Sequence, residues 1–433
     1  MRNRFGFFKN QYNLNAAGSQ PVAPTYNITA NLVDPAIPKS VNFGINTTLP
    51  ANITLYWTIT GNVTSGDFTD LSGLSGTVTT DVNGNALVTK DLNVIGFSNV
   101  DFALNVKEYP VTSIKATSPT VSTANANVMS ATGGTTSYVT DNYFTVHLFN
   151  TSANLNVVST GDANLLSNIN TLDYLLVGGG GKGGSHNNYT PALAGGGGGG
   201  EVYESSANVT GLGNIVVGVG LGSGYAGTPA TRGANSNISL GNIEVYGGGN
   251  GGEDGYTGQD GGAGGGGSIQ GLTTTTARIG NYGNAVTNYG TASRGGPGGI
   301  LTTTNLLDAR SMGAGGGGGA GGTGNGAADT GIGSNGGGGI FSSITGTSIG
   351  YGSGGGGVPG KTSGGSLIVG GFGGGPGAGD GASSLFGASG TNGSGNYGAG
   401  GGGLTGGGSP RPAYGGNGTV IFKYVSSVRK LVV

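Results

Sequence analysis

The chain contains no cysteine, which excludes a disulfide framework and any zinc or iron–sulfur site built on thiolates. Charge is nearly as scarce, with 17 basic and 19 acidic residues among 433. The basic residues are scattered from Arg2 to Lys430 without a stripe or arm. Displacing the counterions of a nucleic-acid backbone needs clustered Lys and Arg, so no nucleic-acid partner is expected. No apolar stretch approaches the length of a membrane span, and no membrane insertion is expected either. The first residues are basic but lack the apolar segment of a signal peptide. Synthesis in a cytoplasm without a standard export signal is therefore the expectation. Heptads and apolar patterns of period 3.6 are also missing, which argues against α-helix.

Glycine, by contrast, is abundant. Twelve of the 103 glycines precede Gly178 and the other 91 lie from Gly178 onward, about one residue in three. Disordered glycine-rich chains are usually polar, but 34% of this chain is hydrophobic and it holds 18 tyrosines. It reads as folded. Glycine loses the most backbone entropy on ordering, so its repeated use needs a reason. Close approach supplies one. An extended helix of three residues per turn has no internal hydrogen bonds and must pair with neighbouring chains. Only glycine removes every Cβ between them. Strict G-X-Y periodicity is absent, which excludes a collagen triple helix. Flexible linkers are the plainer alternative, but linkers are not repeatedly interrupted by segments such as Ile215-Val216-Val217 or Ile243-Glu244-Val245-Tyr246.

Ahead of Gly178 the signals are those of ordinary β structure. Val41 to Asn46 alternates apolar and polar residues, Leu55 to Thr60 is β-branched and aromatic, and Val100 to Tyr109 puts Phe102, Leu104 and Val106 on one face. Thr77 to Lys90 reads as a hairpin turning at Asn83-Gly84. Phe144–Phe149 and Ala153–Val158 look like paired strands, and Leu172–Val177 runs straight into glycine. The expected fold is mainly β, with little or no α-helix. An antiparallel sandwich over 26–115 is followed by a linker over 116–129 and a β base over 130–177. Packed polyglycine-II-type helices and short strands fill 178–433, and 1–25 is a separate N-terminal peptide.

Several apparent chemical motifs are products of composition. Gly-x-Gly-x-x-Gly recurs by chance when one residue in three is glycine, and no helix follows to hold a phosphate. Lys182 after a glycine run imitates a phosphate loop, but Gly183 stands where the magnesium-binding Ser or Thr would be. Glu253-Asp254-Gly255 with Asp260-Gly261 could be a calcium loop or a solvated acidic turn. His147, in a strand, is expected to face solvent or a sheet neighbour; His186 lies in a polar loop. Neither has the carboxylate or thiol of a triad nearby in sequence. Tyr189, Tyr225, Tyr256, Tyr282 and Tyr289 lie in polar, glycine-flanked segments. Rigidly framed tyrosines suit recognition of sugars or protein loops, or they cover the edges of the glycine scaffold.

In their order along the chain, these elements resemble a known class. Tyr174-Leu175-Leu176-Val177 before a glycine run, 195–200 followed by Glu201-Val202-Tyr203, and Ile215–Gly220 resemble the glycine-rich domain of tail-fibre and other virion proteins of marine and cyanobacterial phages. The closing Gly415-Gly416-Asn417-Gly418-Thr419-Val420-Ile421-Phe422-Lys423-Tyr424 fits the same pattern, and the likeness covers roughly 130–433. Thr54–Ile59 with Ser65-Gly66-Asp67-Phe68 resembles an immunoglobulin-like or Calx-beta-like module, without the acid cluster that calcium-binding members carry. More distantly, alternating glycine runs and loops are similar to the receptor-binding adhesins at the fibre tips of some T-even-like phages. The resemblance implies a virion structural protein on the tail or capsid surface, made in a host cytoplasm, with neither catalytic activity nor a cofactor. Arg2, Arg4, Phe5, Phe7 and Phe8 would dock it to other virion proteins. The loop tyrosines would meet a host cell-surface glycan or protein. A homotrimer is the usual form of a fibre, though no heptad supports one here. A capsid decoration protein is the alternative, and a host-polysaccharide depolymerase the third reading.

Overall fold

The computed structural model describes residues 22–69, 73–95, 99–139, 143–162, 165–185, 192–224, 232–253, 256–270, 278–279, 283–293, 295, 313–326, 332–360, 369–383, 388–405 and 413–433. The architecture is mainly β, with two short 3₁₀ turns and no α-helix among the described residues. The chain divides into two compact units. One comprises 1–93, 98–124 and 430–433, the other 94–97 and 125–429.

In the first unit, β1 (Tyr26–Leu32), β2 (Ser40–Thr47) and β5 (Asn85–Asp91) form one antiparallel sheet. The second sheet contains β3 (Thr54–Gly61), β4 (Ser75–Thr79), β6 (Asp101–Lys107), β8 (Val121–Asn125) and the C-terminal strand Arg429–Val432, with β7 (Ala116–Thr117) pairing β6. Alternation decides which residues meet: Val41, Phe43 and Ile45 are buried, as are Leu55, Trp57, Phe102, Leu104 and Val106. The Phe102 ring meets Phe43 and Phe68 edge-on at 6.2 and 5.3 Å. Lys90, only 1% exposed, is held in this core. Its ammonium donates to the Gly73 carbonyl at 2.9 Å and lies 5.0 Å from the Trp57 ring centre.

Two sequence expectations are corrected here. The turn at Asn83-Gly84 exists, with Gly84 at φ +76°. Its flanking strands nevertheless join different sheets, β4 pairing β3 and β5 pairing β2. Thr80 is part of the reason: its hydroxyl donates to the Pro50 carbonyl and accepts from the Ile53 N–H, which ties the end of β4 to the start of β3. The segment 116–129, expected as a linker, instead supplies β7 and β8. Val121 and Thr123 are buried, and Ser118 accepts from the Leu104 N–H at 2.9 Å.

The second unit begins with another sandwich. One sheet runs β10 (Thr135–Val139), β11 (Phe144–Phe149), β23 (Thr419–Val425), β13 (Thr171–Val177), β15 (Val202–Asn208). The other runs β18 (Ile243–Val245), β17 (Ser236–Ile238), β16 (Gly213–Gly218), β12 (Ala153–Thr160), β9 (Met129–Thr132). Phe149, Leu172, Leu176, Val420 and Phe422 of the first sheet pack with Leu155, Val157, Ile215, Val217, Ile238 and Val245 of the second. The first sheet is covered on its other face too, where Val146, Leu175, Val177 and Ile421 meet Ala320, Ile344 and Tyr351. Burial on both faces explains why β13 and β23 read as nearly unbroken apolar runs rather than alternating ones. β11 and β12, expected as a pair, belong to opposite sheets; β11 pairs β10 and β23, and β12 pairs β9 and β16. Short strands complete the unit: β14 (Ala192–Leu193), β19 (Ile269–Gln270), β20 (Arg278–Ile279), β21 (Ile340–Ser342) and β22 (Ile349–Tyr351).

Glycine runs continue the strands beyond the sheets. The run 195–201 lies at the centre of a bundle, and its backbone shows the period of three directly. Gly195, Gly198 and Glu201 donate to Gly252, Gly249 and Tyr246; Gly196 and Gly199 donate to Gly315 and Gly318; Gly197 and Gly200 donate to Gly401 and Gly398, all at 2.7–3.2 Å. Its carbonyls accept from Gly184, Gly181 and Gly178, from Ala263 and Gly266, and from Gly355. Six runs therefore surround it, through 178–184, 246–252, 263–267, 314–319, 352–357 and 398–403. The ring closes on itself, because each bonds to the next: Gly251 to Lys182, Gly249 to Ala263, Gly318 to Gly264, Gly317 to Gly355, Gly400 to Ser353, and Gly401 to Gly181. Successive amides turned about 120° apart are what a three-residue helix provides, and hexagonal packing uses every direction. A Cβ on any glycine from 195 to 200 would stand 2.0–2.2 Å from a carbonyl oxygen.

Candidate functional site

The ends of the runs decide what the bundle can present. At one end they join the sheets. At the other they close over a small apolar plug, in which Leu193, Ile269, Ala314, Val358 and Ala382 are buried. The backbone stitches this cap together. Leu193 pairs Ile269 and bridges Thr405, the Ala314 N–H donates to Val358, and the Val358 N–H donates to Ala194. The described residues flanking 186–191, 271–277, 361–368, 384–387 and 406–412 all lie at this capped end. Apolar side chains between the runs exclude water from the last backbone hydrogen bonds.

Lys182 and Glu253 meet at the same end. The ammonium is 2.9 Å from Glu253 Oε1, which also accepts from the Ser185 N–H and hydroxyl at 3.2 and 2.8 Å. One structural ion pair thus absorbs both the phosphate-loop imitation and the first acid of the would-be calcium loop. Glu253 also starts the turn that carries Tyr256: its carbonyl accepts the Tyr256 N–H at 2.8 Å, and the Tyr256 carbonyl accepts from the Ser268 hydroxyl at 2.9 Å. Tyr256 is 64% exposed. No three His, Cys, Asp or Glu side chains converge among the described residues.

Tyr289 lies elsewhere. It is 46% exposed at the sheet end, its ring 5.8 Å from Tyr203, which is 6.1 Å from Tyr174. Glu201, completely buried, holds it there. Glu201 Oε1 accepts the N–H groups of Asn288 and Tyr289 at 2.9 and 2.8 Å and that of Gly290, and Oε2 accepts the Tyr246 N–H at 2.8 Å. Tyr256 and Tyr289 therefore stand at opposite ends of the run 246–252, about 19 Å apart along its axis at ~3.1 Å per residue. Tyr189, Tyr225 and Tyr282, His186, and the N-terminal Arg2, Arg4, Phe5, Phe7 and Phe8 lie outside the described residues.

His147 is 1% exposed and faces a sheet neighbour rather than solvent. Its Nδ1 is 2.6 Å from the Gly133 carbonyl, which can only accept, so Nδ1 carries the proton. Nε2, 3.1 Å away, then accepts from the Tyr424 hydroxyl. Burial pushes the imidazole below its ordinary pKa, against the smaller opposite pull of the Gly133 carbonyl. Burial likewise raises Tyr424. This pair is a polar tie within a sheet, remote from the capped end.

Sequence reasoning did not single out Glu201. One signal pointed to it: a lone carboxylate directly after six glycines, where unpaired backbone donors must gather. Comparison with known protein families and with curated proteins returned no match, so the function has to be argued from this geometry.

Proposed function

We propose that the protein is a non-enzymatic phage virion component, a tail-fibre or adhesin subunit. It presents the polar segments of its glycine bundle to a host-surface glycan or protein. One observation carries this reading: a bundle of interbonded glycine runs, seven of them at its centre, brings the flanks of five segments, four of them polar, to a single capped end. Rigid framing favours recognition because little conformational entropy remains to be lost when the segments meet a partner. The N-terminal peptide 1–25, with its Arg and Phe residues, docks the subunit to other virion proteins, and the sandwich of the first unit acts as a spacer.

Purified full-length protein, with 271–277 replaced by a Gly/Ser stretch of equal length, tests the display. Binding to host cells should fall at least about tenfold while thermal unfolding stays unchanged. Full binding after this replacement and after the same replacement at 361–368 and 406–412 would overturn it. Imaging virions with a labelled N-terminus assigns the location, and a purely capsid position would make this a decoration protein. Release of reducing sugar from host envelope would remove the non-enzymatic reading.

A further inference from the structure

On the side of the base sandwich, away from the capped end, the sheet β16–β17–β18 has an outer face with a cleft of about 300 Å³. Val216, Asn237, Ile238, Ser239, Asn242, Ile243 and Glu244 line it. The geometry follows from the strands. Asn237 pairs Gly218 on one side and Glu244 on the other. Because Gly218 has no side chain, the Asn237 amide lies against its backbone, where a Cβ would be 2.7 Å from Oδ1. The floor stays open as a result. Asn242, at φ +52°, closes one end of the cleft in the turn that joins β17 to β18. Ile238 and Ile243 are buried beneath, while Val216 is 53% exposed and supplies an apolar wall.

The chemistry of the lining selects a ligand class. Both amides are exposed and make no side-chain hydrogen bond to the described residues, so each offers two donors and an acceptor. The Ser239 oxygen accepts the Val216 N–H at 2.9 Å, which leaves its O–H to donate. Glu244 Oε1 accepts from Asn235 Nδ2 at 2.9 Å, and its other oxygen remains an acceptor. The lining contains no cation, so a phosphate or carboxylate ligand would face Glu244 uncompensated. It contains no aromatic ring either, and a wholly apolar ligand would strip water from four polar groups without replacing it. Hydroxyl groups that both donate and accept, on a ring with one apolar face for Val216, match what is present. We infer that this cleft is a binding site for a single neutral hexopyranose unit, distinct from the capped end of the bundle. It does not depend on the adhesin reading, since it concerns another surface and is tested in solution without cells.

The test is amide-resolved NMR on perdeuterated full-length protein, titrated with methyl glucoside, methyl galactoside, methyl mannoside, glucuronate and a simple alkylamine. At least one neutral glycoside should shift the amides of 237–244 and 216, with Kd on the order of 1–10 mM, a range appropriate to a ligand of this size. Asn237→Ala and Asn242→Gly should each weaken it about fivefold, roughly one hydrogen bond's worth. Glycine tolerates the positive φ at 242, so that variant keeps the turn. Four outcomes would overturn the inference: no shift up to about 50 mM ligand, several times the expected Kd, shifts confined to other residues, unchanged affinity in both variants, or tighter binding of glucuronate or the alkylamine than of every neutral glycoside.

Discussion

The base sandwich and the glycine bundle belong to one compact unit, yet opposite means hold them together. In the sandwich, side chains from two sheets meet, and stability follows the apolar area they remove from water. In the bundle the central run 195–200 has no side chains, and its cohesion comes from backbone groups bonded to the six runs around it. The two regions therefore fail in opposite ways. Removing atoms damages the sandwich, whereas adding a single methyl damages the bundle. The strongest test is Gly198→Ala, whose Cβ would be 2.1 Å from the Ala263 carbonyl oxygen. Close-packed backbone cannot yield by an ångström without parting two runs. Destabilisation should reach at least about 4 kcal/mol, a range that single substitutions rarely enter, measured by denaturant unfolding. A stable Gly198→Ala protein would mean that the runs are not packed as described.

The sandwich provides the next largest effect. Phe422 is completely buried, its ring edge-on to Phe149 at 5.9 Å. Phe422→Ala should cost about 3–5 kcal/mol through lost burial and the cavity left behind. Alanine, destructive at 198 because it adds a carbon, is destructive at 422 because it removes six. A loss under about 1 kcal/mol at 422 would show that the sheets repack, and the contrast between the regions would weaken.

Glu201 lies where the regions join and shares features of both. It is a side chain, but its four partners are backbone N–H groups. Glu201→Gln keeps the shape and removes the charge, and its amide nitrogen cannot accept. One buried oxygen's donors lose their acceptor, at about 2–3 kcal/mol for hydrogen bonds to a charged group. Amide exchange at 288–290 should accelerate before that of 195–200 does. Uniform acceleration across the bundle would give Glu201 a global role instead of the local one its contacts describe.

The contrast also governs what was legible in sequence. Alternation marked β2 and β6, and a β-branched, aromatic run marked β3, because a half-buried strand carries its face in its own residues. Partners were not legible. β11 and β12 are three residues apart in the chain and lie in opposite sheets, while β23 arrives from near the C-terminus to fill the place between β11 and β13. No local pattern encodes that pairing. The glycine runs implied extended helices that must find neighbours, but the runs are nearly identical in sequence, so which six surround 195–201 was invisible. The site residues divide in the same way. Tyr256 and Tyr289 looked equivalent in sequence, and only the direction of the run between them separates them. Lys182 and Glu253, 71 residues apart, gave two misleading motifs where the fold makes one ion pair.

Acidity sharpens the comparison, because among the described residues the buried imidazole belongs to the sandwich. The folded pKa of His147 lies below its unfolded value of about 6.5, so the unfolded chain binds more protons in between. Stability is therefore full above about pH 6.5 and declines as the pH falls from there toward the folded value. Thermal unfolding at pH 5.5 should occur below that at pH 7.5, and His147→Gln should remove most of the difference. Equal pH dependence in the variant would assign the effect to other groups.

The smallest expected effect is the most discriminating within the bundle. Gly338 belongs to a further run, 333–339, outside the ring of six, where the Gly337 N–H donates to Gly317, and a Cβ on Gly338 meets nothing nearer than the Gly374 carbonyl at 3.8 Å. Gly338→Ala removes unfolded-state entropy without steric conflict, so stability should change by less than about 0.5 kcal/mol and in the favourable direction if at all. Gly198 and Gly338 are the same residue in similar sequence, GGGGG and GGGGI. If both substitutions were equally harmful, glycine would be required for backbone conformation everywhere. If only the central one is, the requirement is for space, and it follows the number of neighbouring runs.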